Sequence, residues 1–220
     1  MKEITITQEN VIAAYQAAND EQKKLLIKLF PDVPLSAVVE PEGYVRQQDK
    51  TIPIEERIYT FEDAIAALGD ENRLVCEFRM IEQNSRMAAV TLSADIMAYL
   101  KLRIVCAALN DGWEPEFTED EERWYPWHLL WMAHELNDKD DKWEEERALM
   151  STAGYKGDCA GFAYAYSDDA NSGSDSGIGS RLWLKDENTA RLAATRFIDL
   201  WADFKLIRSE EAAPVSEKAV

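Results

Sequence analysis

The amino-acid sequence predicts an α+β fold, with a helical N-terminal half followed by a small antiparallel sheet and a C-terminal helix that covers it. Three observations support this prediction. Apolar residues recur at helical spacing through most of the first 110 residues. Three later runs, WYPWHLLWMAH, FAYAYS and GSRLWLK, alternate with the period of two that is typical of strands. The last run leads into ENTARLAATRFIDLWADF, which carries an apolar stripe at helical spacing.

Residues 1–30 form a predicted N-terminal helical segment. A first helix begins after Thr7, whose side-chain oxygen can accept N–H groups of the first turn. A second helix ends before Pro31, because proline lacks a backbone N–H and disfavours a helical residue before it. Residues 31–59 hold four prolines and predict a linker, or an arm that lies on another surface.

Residues 60–208 form the predicted α+β domain, and residues 209–220 form a predicted disordered tail. Thr60 is in position to cap a short helix at the start of the domain, with acidic residues in its first turn. Ser93 caps a longer apolar helix, and we expect its Leu100 to lie in the core.

The three alternating runs predict how side chains divide between the faces of the sheet. WYPWHLLWMAH is apolar on both alternations, which predicts a strand with both faces covered. In FAYAYS, Phe162, Tyr164 and Tyr166 share one predicted face. RLWLK supplies the third strand, and Asp186 then caps one continuous helix that ends near Phe204.

The chain carries 42 acidic and 24 basic residues, which gives a formal net charge of −18. We expect no direct nucleic-acid contact and no membrane association, because both need clustered Lys and Arg. The N-terminus lacks the apolar stretch of a signal peptide, and three cysteines in unrelated settings predict reduced thiols. These features predict a protein that folds in a cytoplasm.

Residues 111–146 hold 14 acidic and three basic residues, a net charge of −11. Such a distribution is typical of a solvated surface, and it also fits a cation site, a dock for a basic partner or mimicry of nucleic acid. An EF-hand loop is not expected, because the glycine of its sixth position is missing. The residues assigned to this acidic patch are Glu119, Asp120, Glu121, Glu122, Asp138, Asp140 and Asp141.

The sequence offers no recognised catalytic arrangement. His128 and His134 would share one face of the first strand, but the HExxH pattern of a zinc protease is absent. The serines around residue 175 lack a GxSxG elbow, and the nearby glycines match neither a P-loop nor a dinucleotide fingerprint. We therefore expect a non-enzymatic protein with no catalytic residue, no metal site and no cofactor.

Residues 167–180, SDDANSGSDSGIGS, are almost all small or polar and predict an exposed hairpin loop between the second and third strands. Aromatic side chains at its base, expected to be partly exposed, supply contact area, while Ser, Asn and Asp supply adjustable hydrogen bonds. The same composition is also typical of a flexible loop without a ligand. The residues assigned to ligand or partner binding are Tyr164, Tyr166, Asp168, Asp169, Asn171, Asp175 and Trp183.

Three segments carry a family resemblance: TFEDAIAALGDEN at 60–72, LNDGWEPEFTEDEERWYPW at 109–127 and GSRLWLKDENTARLAATRFIDLWADF at 179–204. Together they resemble uncharacterised proteins from tailed phages and prophages of gut anaerobes. The resemblance implies a phage setting, and in some of these proteins a variable polar-aromatic stretch before GSRL looks like a diversified binding loop. That stretch corresponds to residues 162–178 here, and Trp183 stands where many relatives have Cys or Ala.

We therefore expect a phage-encoded, non-enzymatic binding or virion-associated protein that is made in the host cytoplasm and recognises its ligand through the loop. The expected partners are a protein or glycan ligand or other virion proteins. A second copy of the chain, in a homo-oligomer, is a further alternative. One alternative is an acidic intracellular inhibitor that mimics nucleic acid and blocks a basic host protein through residues 111–146. Another is an unrecognised hydrolase.

Overall fold

A computed structural model describes residues 48–116, 118–170 and 179–209, together with eight positions in the N-terminal segment. These positions are Val11, Ala14, Tyr15, Gln22, Leu25, Leu26, Leu29 and Phe30. The chain divides into two units, Met1–Tyr44 and Val45–Val220.

In the first unit, the described residues agree with apolar stripes on two helices. Val11 and Tyr15 are helical and buried, and Leu26 and Phe30 pack against them. The spacing of four residues places Val11 and Tyr15 on the same side of their helix, while Phe30 lies just outside the helical residues. The predicted cap, Thr7, lies outside the described residues.

In the second unit, the described residues form eight α-helices, three β-strands and a 3₁₀ turn. The helices before the sheet are α1 (Ile54–Arg57), α2 (Phe61–Leu68), α3 (Arg73–Ala88) and α4 (Ala94–Asn110). They are followed by β1 (Arg123–Trp131), α5 (Ala133–Leu136), α6 (Asp141–Glu146), β2 (Met150–Ser151) and β3 (Gly161–Ala170). The last elements are the 3₁₀ turn Ser180–Leu182, α7 (Glu187–Arg196) and α8 (Ile198–Lys205). The strands form an antiparallel sheet in the order β1-β3-β2, and α7 packs on β1 and β3, which confirms the predicted α+β class.

The start of α2 follows the predicted capping. Asp63 N donates to Thr60 Oγ1 at 3.1 Å, and Thr60 N donates to Asp63 Oδ2 at 3.0 Å. This reciprocal pair is a capping box, which satisfies an N–H group of the first helical turn that has no partner within the helix. Because Asp63 is fully buried, the box also fixes where α2 enters the core.

Helix α4 is the buried centre of the second unit, but Leu100, predicted to lie in the core, is not one of its fully buried residues. Leu102, Val105 and Leu109 are fully buried, whereas Ile96 is 48% exposed and Leu100 is half-buried. The reason is that α2, α8 and the 3₁₀ turn pack around α4 from several directions. A helix surrounded in this way carries no single apolar stripe from which the sequence could fix its orientation.

The predicted connector ends earlier than residue 59. Ile54 and Ile58, at α1, are buried in the core of the second unit. Arg57, between them, is 2% exposed, and its guanidinium forms an ion pair with Asp111 at 3.2 Å, just beyond the end of α4. Its Nε also donates to Ile52 O at 3.0 Å. This part of the connector therefore belongs to the folded domain.

Strand β3 contains a β-bulge at Ala165. Trp127 pairs with Tyr166, but the next residue of β1, His128, pairs with Tyr164, so that β3 holds one extra residue. The extra residue reverses the alternation of β3 and places Tyr166 on the opposite face from Tyr164. The prediction that the aromatic residues of FAYAYS share one face is therefore wrong, as Tyr164 is 8% exposed and Tyr166 is 51% exposed.

The run RLWLK is not a strand of the sheet, contrary to the prediction. It begins in the 3₁₀ turn, and within the described chain only Leu184 pairs with β1, through two backbone hydrogen bonds of 2.9 Å with Trp124. Asn110 holds the run in place, because its Nδ2 donates to Trp183 O at 2.9 Å and its Oδ1 accepts from Lys185 N at 3.1 Å. A buried side chain at the end of α4 thus binds backbone groups that a ladder partner would otherwise satisfy.

The C-terminal helix is capped as predicted, but it is broken in two. Asp186 Oδ1 accepts from Thr189 N at 2.7 Å at the start of α7. Phe197 leaves the helical conformation, with φ −120° and ψ 36°, and separates α7 from α8. Trp201 of α8 is fully buried, and its Nε1 donates to Ala193 O of α7 at 3.1 Å. This bond fixes one helix against the other.

The end of the described chain is tied to the loop before β3. Lys156 N donates to Ile207 O at 2.7 Å, and Ser209 N donates to Gly154 O at 3.0 Å. The predicted tail beyond Ser209 lies outside the described residues.

Replacing Leu102 with Ala should lower the free energy of unfolding by about 2–5 kcal/mol, because truncating a fully buried leucine leaves a cavity. Leu100→Ala should cost clearly less, since this side chain is half-buried. Chemical denaturation of both variants under identical conditions measures the two losses. A larger loss for Leu100→Ala than for Leu102→Ala would show that the core lies on the other side of α4.

Candidate functional site

The outer face of the sheet, opposite α7 and α8, carries an exposed group of aromatic and apolar side chains. On the inner face, His128 of β1 contacts Trp201 of α8, with 5.6 Å between ring centroids. Because side chains alternate along a strand, Trp127 and Leu129 lie on the outer face. We define the outer aromatic patch as Tyr125, Trp127, Leu129 and Tyr166.

The rings of the outer aromatic patch contact one another, and two of them, Trp127 and Tyr166, are exposed to solvent. Trp127 and Tyr166 stack, with 5.9 Å between centroids and 19° between ring planes, and Tyr125 lies 6.0 Å from Trp127. Trp127 is 39% exposed and Leu129 is 47% exposed. Such rings are enriched in protein interfaces, because a rigid ring buries a large area at low entropic cost. The patch is thus an apolar surface that is already ordered before a ligand binds.

Arg147 stabilises the bulge that creates the patch. Its Nη1 donates to Tyr164 O at 3.2 Å and to Ala165 O at 2.5 Å, at the point where the strand ladder is interrupted. Its backbone O accepts from Tyr164 N at 2.9 Å. A charged donor therefore satisfies both carbonyls at the irregularity, which keeps Tyr166 on the outer face.

Other side chains limit the patch at both ends. At one end, Trp131 meets Trp143 of α6 edge-to-face, with 5.2 Å between centroids, and Lys139 Nζ lies 5.2 Å from both rings. At the other end, Tyr125 OH donates to Asp168 Oδ2 at 3.3 Å. The open part of the outer face therefore consists of the patch itself, with a carboxylate at one edge.

Two residues that the sequence assigned to binding are buried instead. Tyr164, expected to be partly exposed, lies on the inner face, where its ring contacts His128 edge-to-face at 6.5 Å. Trp183 is 1% exposed, and the guanidinium of Arg123 lies over its ring at 4.7 Å. The bulge explains the burial of Tyr164, and the irregular course of RLWLK explains that of Trp183. Neither side chain is therefore available on the outer face of the sheet.

The remaining predicted binding residues divide between β3 and the loop. Asp168 and Asp169 are exposed on β3, because the strand extends three residues beyond the predicted FAYAYS run and ends at Ala170. Tyr166 and Asp168 are the two assigned residues that lie at the outer aromatic patch. Asn171 and Asp175 lie outside the described residues.

Sequence reasoning missed Trp127 and Leu129 as surface residues. Their run is apolar on both alternations, which predicted a strand covered on both faces. Among the described residues, the outer face is covered only at the two ends of β1, by Trp143 over Trp131 and by Trp183 beside Tyr125. Periodicity indicated which residues share a face, but the extent of the cover depends on where α6 packs.

The residues of the predicted acidic patch form two groups rather than one. Glu119, Asp120, Glu121 and Glu122 precede β1, whereas Asp138, Asp140 and Asp141 follow it. The nine-residue strand between the groups spans about 26 Å. All seven residues are exposed except Glu121, which is half-buried.

Two of these acidic residues have structural roles. Glu121 Oε1 accepts from Glu116 N at 2.7 Å and closes the turn before β1. Asp140 Oδ1 accepts from Trp143 N at 2.8 Å and caps α6. Their carboxylates satisfy local backbone groups, so the solvated charge belongs mainly to the other five residues.

His128 is a largely buried histidine on the inner face of the sheet. Its ring stacks on Phe162, with 4.8 Å between centroids, and its Nδ1 lies 3.1 Å from Lys205 Nζ. Burial, followed by the positive charge of Lys205, lowers the pKa of His128 to about 3. Since a protonated Lys205 can only donate, the Nδ1 atom accepts. The predicted shared face with His134 is wrong, because His134 is exposed on α5.

Among the described residues, no three His, Cys, Asp or Glu side chains lie close enough together to hold a metal ion. Cys106 is buried on α4, and burial raises the pKa of its thiol to about 12, while Cys76 is exposed. In the same part of the chain, no helix is both long and apolar enough to cross a membrane.

No protein-family model, curated protein or solved structure matches the chain. The resemblance to phage proteins therefore stays a prediction from the three sequence segments.

Exchanging His128 for Phe should remove a pH dependence of stability between about pH 3 and pH 6.5. An unfolded chain protonates this histidine as pH falls through 6.5, whereas the folded protein protonates it only near pH 3. The contribution of neutral His128 to the free energy of unfolding is thus complete above pH 6.5. It decreases by up to about 1.4 kcal/mol for each pH unit below that value.

The measurement is urea denaturation of the wild type and His128→Phe at several pH values between about 5 and 7. The difference between their free energies of unfolding isolates this group from the carboxylates, which both proteins share. A difference that does not change with pH would contradict a neutral, buried His128.

Proposed function

We propose that this chain is a phage-encoded, non-enzymatic binding protein that holds a protein or glycan ligand on the outer aromatic patch. The observation that carries the proposal is the stacked pair Trp127–Tyr166, exposed on the face that α7 does not cover. Leaving apolar rings in water is unfavourable, so a ligand that covers them gains the free energy of burying that surface. The family resemblance of the three sequence segments supports the phage setting.

The chemistry of the patch fits a ligand with a flat apolar side and polar groups at its edge. Aromatic rings can stack on the apolar side of a sugar or on an aromatic side chain of a partner. Asp168, at the edge, accepts hydrogen bonds, and its bond from Tyr125 holds the carboxylate in position. Other virion proteins are included among the proposed ligands because of the phage setting.

Trp127→Ala should weaken ligand capture about tenfold or more, because truncating a central aromatic residue of an interface typically costs about 2 kcal/mol. Tyr166→Ala should act in the same direction, since it removes the stacking partner. Capture is measured on a glycan array, on immobilised host surface proteins and on purified phage particles. Mass spectrometry of the particles tests whether the protein is part of the virion.

The matched control is Ile96→Ala, which removes a side chain of similar exposure from α4. Thermal unfolding of all three variants separates a lost binding surface from a lost fold. If Trp127→Ala captured ligand as well as Ile96→Ala does, the outer aromatic patch would not be the binding site.

A second candidate function is an acidic inhibitor that occupies the basic surface of a host protein and mimics nucleic acid. The observation that favours it is the exposure of acidic side chains at both ends of β1, in a segment with a net charge of −11. Acidic groups that precede and follow a strand about 26 Å long can contact a basic surface at more than one point. Electrostatic attraction of this kind mainly increases the rate of association.

Reversing Glu119, Asp120 and Glu122 to Lys should slow association with such a host protein, and added salt should weaken wild-type binding. These three residues are chosen because they are exposed, whereas Glu121 holds a turn. Host proteins captured from a lysate are identified by mass spectrometry, and their association is then measured at low and physiological salt.

The control for this experiment reverses three exposed acidic residues outside the segment, Glu71, Asp158 and Asp199. Equal slowing by both triple variants would indicate a general effect of net charge. Wild-type affinity that does not change with salt would exclude the acidic inhibitor.

A further inference from the structure

A cleft of about 870 Å³ opens among the helices of the second unit. It lies between the end of α2, the first turns of α3, the last turns of α4, residues 112–115 and the 3₁₀ turn with the residue after it. The cleft shares no residue with the outer aromatic patch, so its role is independent of the function proposed above. Its volume is in the range of small-molecule binding sites, about 300–1,000 Å³.

Arginines dominate the charged lining of the cleft. Arg73, Arg103 and Arg181 line it, together with Glu77 and Glu114. This ratio of three basic to two acidic residues reverses the ratio of the whole chain, 24 to 42. The three arginines come from α3, α4 and the 3₁₀ turn, so the fold brings together residues that are far apart in the sequence.

The carboxylates of the cleft do not pair with all of its arginines. Glu77 Oε1 accepts from Arg73 Nε at 2.7 Å, and Arg103 Nη1 lies 3.5 Å from Glu77 Oε2, so that one carboxylate serves two arginines. Arg181 is exposed and forms no ion pair with any residue that the structure describes. The first turn of α3 begins at Arg73 and contains no acidic residue, which adds the positive end of the helix dipole.

Apolar side chains complete the lining. Leu68, Leu74 and Ala107 come from three different helices, and Trp113 is half-buried beside them. Apolar walls with a few charged groups are typical of sites for small organic molecules, because the walls supply affinity and the charges supply orientation. A free inorganic ion would not use the apolar part of this lining.

We infer that this cleft binds a small organic anion, in which a carboxylate or phosphate is joined to an aromatic group. The planar guanidinium groups donate paired hydrogen bonds to the anion, a geometry that suits both carboxylate and phosphate. The aromatic group packs on the apolar lining beside Trp113. The net charge of −18 does not prevent this binding, since exposed charges more than about 8 Å away are largely screened at physiological ionic strength.

The test is a titration of the ¹⁵N-labelled full chain with phenyl phosphate and with benzoate, followed through the indole N–H resonance of Trp113. Trp113→Phe assigns that resonance, and benzyl alcohol and benzamidine serve as neutral and cationic probes of similar shape. We expect both anions to shift the Trp113 resonance and the neutral and cationic probes to leave it in place. Arg181→Gln should weaken phenyl phosphate binding about fivefold or more, because it removes a charge-assisted donor.

The matched control is Arg86→Gln, which removes an exposed arginine from the other end of α3, where it pairs with Glu82. It should bind phenyl phosphate like the wild type. The inference is overturned if neither anion moves the Trp113 resonance, if benzyl alcohol moves it equally, or if Arg181→Gln binds like Arg86→Gln. Because Arg181 is exposed, its exchange leaves the fold intact, and the remaining resonances verify this.

Discussion

The register between β1 and β3 determines which side chains this protein presents to solvent. One extra residue, Ala165, separates an inner pair, His128 and Tyr164, from an outer pair, Trp127 and Tyr166. Without it, Tyr166 would follow Tyr164 onto the inner face, and Trp127 would lose its stacking partner. The hydrogen bonds of Arg147 to the two carbonyls at the bulge hold this register. The hydrogen bonds of one arginine side chain to the backbone thus determine which side chains are exposed.

Buried or half-buried polar side chains fix the layers beneath that surface. Asn110 joins the end of α4 to the run after the 3₁₀ turn, and Arg57 joins α1 to Asp111 at the same end of α4. Lys205 joins α8 to β1 through Pro126 O at 3.2 Å. Apolar layers tolerate several packing arrangements, whereas a buried polar group left without its partner costs about 1–3 kcal/mol. These contacts therefore select one arrangement of the helices on the sheet.

The sequence predicted the features that a few neighbouring residues determine. Thr60 and Asp186 cap their helices because a side-chain oxygen reaches an N–H group three residues away. The capping bond predicted for Ser93 is not formed, although Ser93 is the N-cap residue of α4. The bulge at Ala165 has no such local signal, since its partner Arg147 lies 18 residues earlier in the chain. The same holds for Trp183, whose carbonyl oxygen is bound by Asn110. The prediction of an exposed side chain is therefore right for Tyr166 and Asp168, and it is wrong for Tyr164 and Trp183.

The strong negative charge of the chain is a poor guide to what any one surface attracts. Some acidic residues, such as Glu121 and Asp140, satisfy backbone N–H groups and belong to the local fold. Others, such as Glu119, remain solvated beside β1. On the helical side, Arg181 meets no carboxylate among the described residues and makes its surroundings locally positive. Because screening limits the reach of each exposed charge to about 8 Å, one acidic protein can present an apolar, an anionic and a cationic surface on different parts of the same fold.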